Sequence, residues 1–390
     1  MKVLSLFDGM ACGMLAMQKS GIPVERYVAF EIDKYAVQTS THNFPMIEHK
    51  GDVFHADFNE FKGFDFLVGG SPCTYWSIAQ KNNRETVASG MGWELFSQYV
   101  RALKESQPTY FIYENNKSMS VAIRESITQT FGFEPICINS ALVSAQNRQR
   151  LYWVGKRNPD GTYSKVNVDQ PEDRGNLLKD VLDSGVDLTS RDKAWTLTAS
   201  YDGACAWNTI ERSQRNMVAE PVRVGTLPNN AKNQAHDSQQ YRIYSTEGKS
   251  VTLCGNGGGM GAKTGLYAIP IEFDGDTPTK AVSCSDGKEY TPYEVKGGLI
   301  TIKGKQYPIK LQDGFYIIRK LTVTECKRLQ TVPEWYEFPV SNAQAYKMLG
   351  NGWTVDVIVH LIESTQNEQV YEEQIDLFGI DMAEQWGGES

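Results

Sequence analysis

The feature that most constrains this chain is the alternation of short apolar runs with helical patterns across residues 1–155. The segments KVLSLF, RYVAFEI, FDFLVGG, TYFIYEN, EPICINSALV and RLYWVG have the length and the β-branched or aromatic content of strands. Between them, residues 11–19 and 92–105 carry helical spacing, with Leu95, Phe96, Tyr99, Val100 and Leu103 on one helical face. Parallel neighbours need a crossover connection, and a helix is what usually fills it. The alternation therefore predicts a mostly parallel, doubly wound α/β sheet. In such a sheet ligands sit beyond the carboxyl ends of the strands.

After about residue 156 the texture changes. Gly, Asn, Ser and Thr and short β-branched runs dominate, and hairpin-like pieces recur, such as GGLITIKGKQYPIKL at 297–311. This predicts a smaller β-rich, loop-rich domain over 156–318. WTLTASYDGACAW at 195–207 and VTLCGNGGGMGAK at 251–263 share a strand-plus-Gly-loop pattern, which is either a weak internal repeat or a chance similarity. From 319 helical periodicity returns. RKLTVTECKRLQ keeps Leu321, Cys326 and Leu329 in register, and NAQAYKMLGNGWTVDVIVHLIES runs through a Gly-Asn-Gly break into an apolar helix. Residues 319–364 are expected to rejoin the first domain, and 365–390 to form an acidic tail.

Charge and cysteines narrow the classes further. The net charge is −8, and residues 361–390 hold Glu363, Glu368, Glu372, Glu373, Asp376, Asp381, Glu384 and Glu389 with no Lys or Arg. Residues 1–360 are therefore neutral, and the acidic balance says little about the body of the protein. Residues 191–270 are mildly basic, which permits a nucleic-acid partner without requiring one. No run of 18 apolar residues exists to span a membrane. The seven cysteines are odd in number and scattered, with no CxxC pair. That argues against zinc and disulfides, leaves no metal site to nominate, and fits a reducing cytoplasm.

Four local patterns carry chemistry. In GGSPCTYWS at 69–77, an apolar strand ends in Gly-Gly before Ser71-Pro72-Cys73, which puts a thiol where α/β folds place ligands, although most loop cysteines are inert. In IYENNKSM at 112–119, Glu114 ends another strand and could face Cys73, or could simply be solvated. In QNRQRLYWVG at 146–155, Gln146, Arg148 and Arg150 alternate onto one face, as for a polar ligand or a surface salt-bridge ladder. In LFDGMACGM at 6–14, Gly9 and Gly13 would let the backbone approach a nucleotide-like ligand, but the spacing is not the GxGxxG of dinucleotide sites. FEID at 30–33 sets Glu31 at a strand end, suited to ribose hydroxyls. GDV at 51–53 sets Asp52 within reach of an adenine amino group.

Taken in order, these segments resemble the DNA (cytosine-5) methyltransferase family. The wording SLFDGMACGM, GGSPC…SI and LGNGWTV is similar to the animal de novo branch and to its bacterial and phage relatives. YRIYSTEGKSVTLCGNGGGMGAKTGLY at 241–267 resembles the target-recognition segment of phage and bacterial members. The resemblance implies a Rossmann-like, S-adenosylmethionine-dependent methyltransferase fold with a target-recognition domain over 156–318. It implies methyl transfer from S-adenosylmethionine to C5 of cytosine in double-stranded DNA by a cytoplasmic monomer of a bacterial or phage-infected cell, in restriction-modification, solitary or self-protective roles. By motif position it assigns Cys73 as the nucleophile that adds to C6, and Glu114 as the group that hydrogen-bonds N3 and the exocyclic amine. Arg150 would hold the O2 side, and Arg148 would position Cys73 and Glu114. Phe7, Asp8, Gly9, Glu31, Ile32, Asp52, Pro72, Asn351 and Trp353 match cofactor-contacting positions. The base would be flipped out of the duplex, with Thr74–Trp93 closing over it on hinges at Gly90 and Gly92.

Two departures stand out. Asn116 follows Glu114-Asn115 where the family usually has Val, from which only a local packing change is expected. The first Gly-rich loop reads DGMACG, which leaves the methionine end of the cofactor site less defined than the adenosine end. An RNA cytosine methyltransferase of the transfer-RNA type would share the catalytic motifs, and a catalytically dead DNA-binding subunit is a third reading. The long middle domain favours duplex DNA over the former, and the intact Cys73, Glu114, Arg148 and Arg150 set argues against the latter. A dinucleotide-dependent dehydrogenase fails on the missing GxGxxG.

Overall fold

The computed structural model describes residues 1–72, 75–77, 84–181 and 322–367, together with residue 250 and short stretches between 223 and 319. Cys73, the two similar segments at 195–207 and 251–263, most of 241–267, part of Thr74–Trp93 and all but the start of the 365–390 tail lie outside the described residues.

The first strands are β1 (Lys2–Leu6), β2 (Arg26–Phe30), β3 (Glu48–His49), β4 (Phe66–Gly69) and β5 (Tyr110–Asn116). They are followed by β6 (Ile136–Asn139), β7 (Gln149–Arg157) and β8 (Tyr163–Lys165). They form one eight-stranded sheet in the order β3-β2-β1-β4-β5-β7-β6, with β8 on β7. From β3 to β5 the pairing is parallel. Beyond β5 the sheet departs from the parallel expectation, because β7 runs antiparallel to β5, β6 and β8. The link from β6 to β7 is only residues 140–148 and holds one short 3₁₀ turn, too little chain for a crossover helix.

The strands read as unbroken apolar runs because both faces of the sheet are covered. Side chains alternate along each strand, so one sheet feeds two cores. Tyr27, Ala29, Phe66, Val68, Ile112 and Val154 face one core. Val28, Phe30, Leu67, Phe111, Tyr113 and Trp153 face the other. The first core is closed by α1 (Cys12–Lys19) and by the returning helices α6 (Asn342–Asn351) and α7 (355–367), through Leu15, Leu349, Val355, Ile358 and Ile362. The second is closed by α3 (Met91–Ser106) and α4 (Val121–Phe131), through Phe96, Tyr99, Ile123, Ile127 and Phe131.

Four elements escape the periodicity argument or extend it. β3 has only two residues. α2 (Lys34–Asn43) is rich in Thr, Ser and Asn and is started by its cap, the Asp33 carboxylate accepting the Tyr35 N–H at 2.9 Å. α4 is bracketed by Ser120, which accepts the Ile123 N–H, and by Gly132 at φ 84. Those cap residues were the readable signal for both helices. α5 (Val323–Leu329) begins with a reciprocal capping box of Thr322 and Glu325.

The returning segment is stapled to the sheet domain by polar contacts. The Tyr336 hydroxyl donates to the Met10 carbonyl at 2.6 Å. Asp356, almost fully buried, is held by both Lys19 and Arg174. Between 223 and 319 the described strands form a second sheet of seven strands, antiparallel except where Arg242–Tyr244 pairs with Leu266–Ile271. Among the described residues no helix is long and apolar enough to cross a membrane.

Candidate active site

The sheet reverses direction of winding between β1 and β4, and the loops leaving these two strands splay apart there. That switch point is where an open α/β sheet leaves a crevice. A cavity of about 220 Å³ opens at it. Its lining includes Phe7, Asp8, Gly9, Glu31, Pro72, Glu114, Arg148, Arg150, Asn351 and Trp353, so ten of the residues singled out by motif position converge from six separate stretches of chain. Ile32 and Asp52 stand outside that lining. Ile32 is 76% exposed at the end of β2, and Asp52 caps a short turn by accepting the Phe54 N–H at 3.0 Å.

The wall after β1 is built from a tight loop. Phe7 and Ala11 both adopt left-handed backbone at φ 57 and 59, a conformation that costs a non-glycine residue about 1 kcal/mol or more. The loop is paid back by packing and by hydrogen bonds that turn its polar groups inward. The Gly9 N–H donates to Glu31 Oε2 at 2.8 Å, while Glu31 Oε1 accepts the N–H groups of Ile32 and Asp33, each at 2.8 Å. Gly13 serves a different purpose from the ligand approach expected of it. A Cβ there would lie 2.6 Å from the Tyr27 hydroxyl and 3.3 Å from Val68, so its role is close packing of α1 on the sheet.

Asp8 is a strongly perturbed carboxylate in the cavity. Its Oδ1 accepts the Ser5 hydroxyl at 2.6 Å and the Tyr27 hydroxyl at 2.7 Å. Its Oδ2 is buried with no hydrogen-bond partner among the described residues. Desolvation, with a smaller contribution from the nearby Glu31, pushes its ionisation up to about 6 against the two hydrogen bonds that pull it down. Cys12, also on the cavity wall, is a thiol that burial pushes up to about 12.

The opposite wall is set by β5 and β7. Glu114 and Asn116 share a face of β5, and Arg150 of β7 lies in register with Asn116. Arg150 therefore reaches Glu114 diagonally across the antiparallel pair, with Nε 3.0 Å from Oε1 and both side chains mostly buried. On the other oxygen, the Trp353 indole N–H donates to Oε2 at 3.0 Å. Gly70 makes room for this carboxylate, since a Cβ at 70 would sit 2.8 Å from the Glu114 carbonyl oxygen and 2.9 Å from Oε2.

Two residues before Cys73, Ser71 is fixed from below. Its hydroxyl pairs with the Tyr113 hydroxyl at 2.7 Å, and Asn115 Nδ2 donates to its carbonyl at 3.2 Å. Tyr113 is itself wedged among Phe96, Tyr99, Phe131 and Trp153. The strand ends that carry the site thus rest on a rigid aromatic bed. Asn116, the departure after Glu114-Asn115, is buried and joins this polar set through Asn115 Oδ1 and the Ser118 hydroxyl.

The alternating Gln146, Arg148 and Arg150 do not act as one ligand-facing ladder. Gln146 is fully buried and donates to the Leu329 carbonyl at 3.0 Å. Arg148 donates to the Gly350 carbonyl at 3.2 Å and to the Gly352 carbonyl at 2.8 Å. Gln330 adds bonds to the Leu349 and Gly352 carbonyls. Together these side chains hold the Asn351–Trp353 turn against the sheet. Sequence reasoning overlooked Gly70, Ser71, Gln330 and also Lys347, whose Nζ pairs with Asp33 at 2.6 Å on the cavity rim. Only Gly70 and Ser71, flanking the expected loop, carried a local signal.

On the α3 side, Glu85 clasps the chain that follows position 73. It accepts the Trp76 indole N–H at 3.0 Å and the Gly92 N–H at 3.1 Å. Gly92 is held by packing, because a Cβ would lie 2.5 Å from Trp76 Nε1, whereas Gly90 takes φ 85. Among the described residues no group of three or more His, Cys, Asp or Glu side chains could hold a metal ion.

A family model described as C-5 cytosine-specific DNA methylase matches residues 1–367. Among characterised proteins, the chain is 25% identical to the orphan methyltransferase M.SPRI of Bacillus phage SPR, an alignment that covers 92% of this chain and 95% of that one. It is 24% identical to the type II methyltransferase M.HhaI of Haemophilus parahaemolyticus, over 93% of each. Among solved structures, a DNMT2 from Spodoptera frugiperda superposes with a TM-score of 0.55 at 15% identity, covering 93% of this chain and 98% of that chain, a likeness of fold.

Proposed function

The chain belongs to the C-5 cytosine-specific DNA methylase family, a DNA cytosine-5-methyltransferase, and from that premise we propose that it methylates a specific double-stranded sequence through a covalent Cys73 adduct on a flipped base. The observation that carries this reading is the Glu114–Arg150 pair at one wall of a cavity whose other wall is Phe7, Asp8 and Gly9. The cavity suits S-adenosylmethionine. The unpartnered buried oxygen of Asp8, beside Glu31, gives an acidic wall for a cationic ligand. Glu31, oriented by three backbone N–H groups, would hold the ribose hydroxyls, and Ile32 and Asp52, beside the cavity, would flank the adenine. Phe7, Gly9, Pro72, Asn351 and Trp353 close around the rest. When bound, S-adenosylmethionine supplies an electrophilic methyl group to C5.

C5 of cytosine is a poor nucleophile until C6 is attacked. The Cys73 thiolate forms the S–C6 bond, and the ring electrons displaced by it make C5 an enamine carbon. Glu114 hydrogen-bonds N3 and the exocyclic amine, favouring a proton on N3 as charge develops there. Arg150 uses Nε on Glu114 and Nη1 on the Gln149 carbonyl, which leaves Nη2 for the base O2. After methylation the C5 proton leaves to solvent, the S–C6 bond breaks, and Cys73 departs as thiolate. The target atom is stacked in a duplex, so the base must leave the stack at a cost of about a few kcal/mol. Residues 156–318 read the sequence from the groove with Arg and Asn side chains. On this reading it works as a monomer in the cytoplasm of a bacterial or phage-infected cell, the kind of source its phage and bacterial relatives come from.

The test is bisulfite sequencing of DNA from a methylation-free bacterial host expressing the protein, beside a methyl-label assay on transfer RNA. Cytosines in one recurring sequence should resist conversion. Folded protein that protects no cytosine, or that labels transfer RNA and leaves DNA untouched, contradicts the proposal.

A further inference from the structure

The motif comparison gives Trp353 to the cofactor, yet its indole N–H points at the catalytic carboxylate. We propose that Trp353 is a positioning residue for Glu114, holding Oε2 while Arg150 holds Oε1, so that the carboxylate has one fixed orientation toward the base. The inference rests on the function proposed above.

The Glu114 carboxylate has a limited number of acceptor sites. An ionised carboxylate has about four lone-pair positions, two on each oxygen. The Trp353 indole N–H takes one on Oε2 at 3.0 Å, and the Arg150 guanidinium, ion-paired with its Nε 3.0 Å from Oε1, covers one approach to that oxygen. One position then remains on each oxygen. A cytosine protonated at N3 presents two adjacent donors, the N3–H and the exocyclic amine, so the remaining sites match what the base offers. Without the indole N–H, Oε2 would lose its anchor, the carboxylate would keep only the Arg150 contact at Oε1, and Glu114 could rotate about its last torsion, which is broad and soft.

The indole itself is held in place by an extended polar network. Trp353 follows a turn whose carbonyls are captured from three directions. Arg148 takes Gly350 and Gly352, Gln330 takes Leu349 and Gly352, and the Cys12 thiol lies 3.8 Å from the Trp353 carbonyl oxygen. Gln146 and Thr354 hold Gln330 in turn. Gly352 fits closely in this turn, since a Cβ would fall 3.0 Å from the Met348 carbonyl oxygen and 3.2 Å from the Cys12 sulfur, and these neighbours would have to give by a few tenths of an ångström. A buried polar network of this kind fixes one arrangement. Arg148 thereby acts on Glu114 at one remove, through the turn and the indole.

The experiment replaces Trp353 by 3-benzothienylalanine, introduced by nonsense suppression, which keeps the shape of the side chain and removes only the N–H. Trp353→Phe serves as the conventional companion. With wild-type protein as control, kcat on substrate DNA should fall about tenfold or more in the sulfur analogue, the worth of one hydrogen bond to a charged group. The Kd for S-adenosylhomocysteine should stay within about twofold. Cofactor-independent exchange of the cytosine C5 hydrogen with solvent, which needs Glu114 but no methyl donor, should fall in parallel with kcat. An unchanged kcat, or an effect confined to cofactor affinity, overturns the positioning role while leaving the proposed function intact. A wild-type protein that cannot methylate DNA overturns the function, and this inference with it.

Discussion

Replacing Asp8 by Asn should stabilise the protein and weaken its cofactor site at the same time. Asp8 carries a buried oxygen with no partner among the described residues, and its ionisation is raised from 3.8 to about 6, chiefly by desolvation. The folded state therefore keeps a proton between about pH 4 and pH 6 that the unfolded chain has released. The stability this proton confers is complete below pH 4 and is lost as pH rises through 6, so at pH 8 the ionised group costs about 3 kcal/mol. An amide in its place keeps Oδ1 for the Ser5 and Tyr27 hydroxyls, both of which donate to that atom. It also carries no charge to desolvate. Urea unfolding of Asp8→Asn and its parent at pH 5 and pH 8 measures the effect. The variant should gain up to about 3 kcal/mol at pH 8 and markedly less at pH 5, while its affinity for S-adenosylmethionine drops because the acidic wall is gone. A gain that is equal at the two pH values, or a parent that is the more stable at pH 8, refutes the reasoning.

Further outcomes follow from the same geometry. Gly70→Ala should leave the fold intact by circular dichroism yet lower methylation by about a hundredfold or more, because its Cβ would lie 2.9 Å from Glu114 Oε2 and displace the carboxylate; activity within a few-fold of the parent would show that Glu114 tolerates the shift. Cys12, raised to about 12 by burial, should resist maleimide at pH 8 in the folded protein and react after unfolding, as read by peptide mass spectrometry; rapid native labelling at Cys12 would mean that the cavity wall opens.

Much of this site was legible locally, and what was not depended on long-range contacts. The strands declare themselves because both faces are buried, which turns each into a continuous apolar run. Glu31, Pro72 and Glu114 are readable because the doubly wound topology brings strand ends together at one crevice. By contrast, α2 and α4 have weak apolar stripes and are set by their caps at Asp33, Ser120 and Gly132. The bonds of Gln146 and Arg148 to the carbonyls of Leu329, Gly350 and Gly352 were not legible, because those acceptors are backbone atoms about two hundred positions away, which carry no sequence signature. The link from Trp353 to Glu114 is hidden for the same reason, spanning 239 positions.

The central claim is that a sulfur from position 73 bonds transiently to C6 of cytosine with Glu114 beside it. A duplex carrying the target sequence with 5-fluorocytosine tests this directly, because fluorine at C5 cannot leave as the proton does and the S–C6 bond then persists. With S-adenosylmethionine present, the wild-type protein should form a denaturant-resistant complex with this DNA, and Cys73→Ser should not. Folded, cofactor-binding wild-type protein that methylates ordinary duplex DNA but yields no such complex would contradict the account.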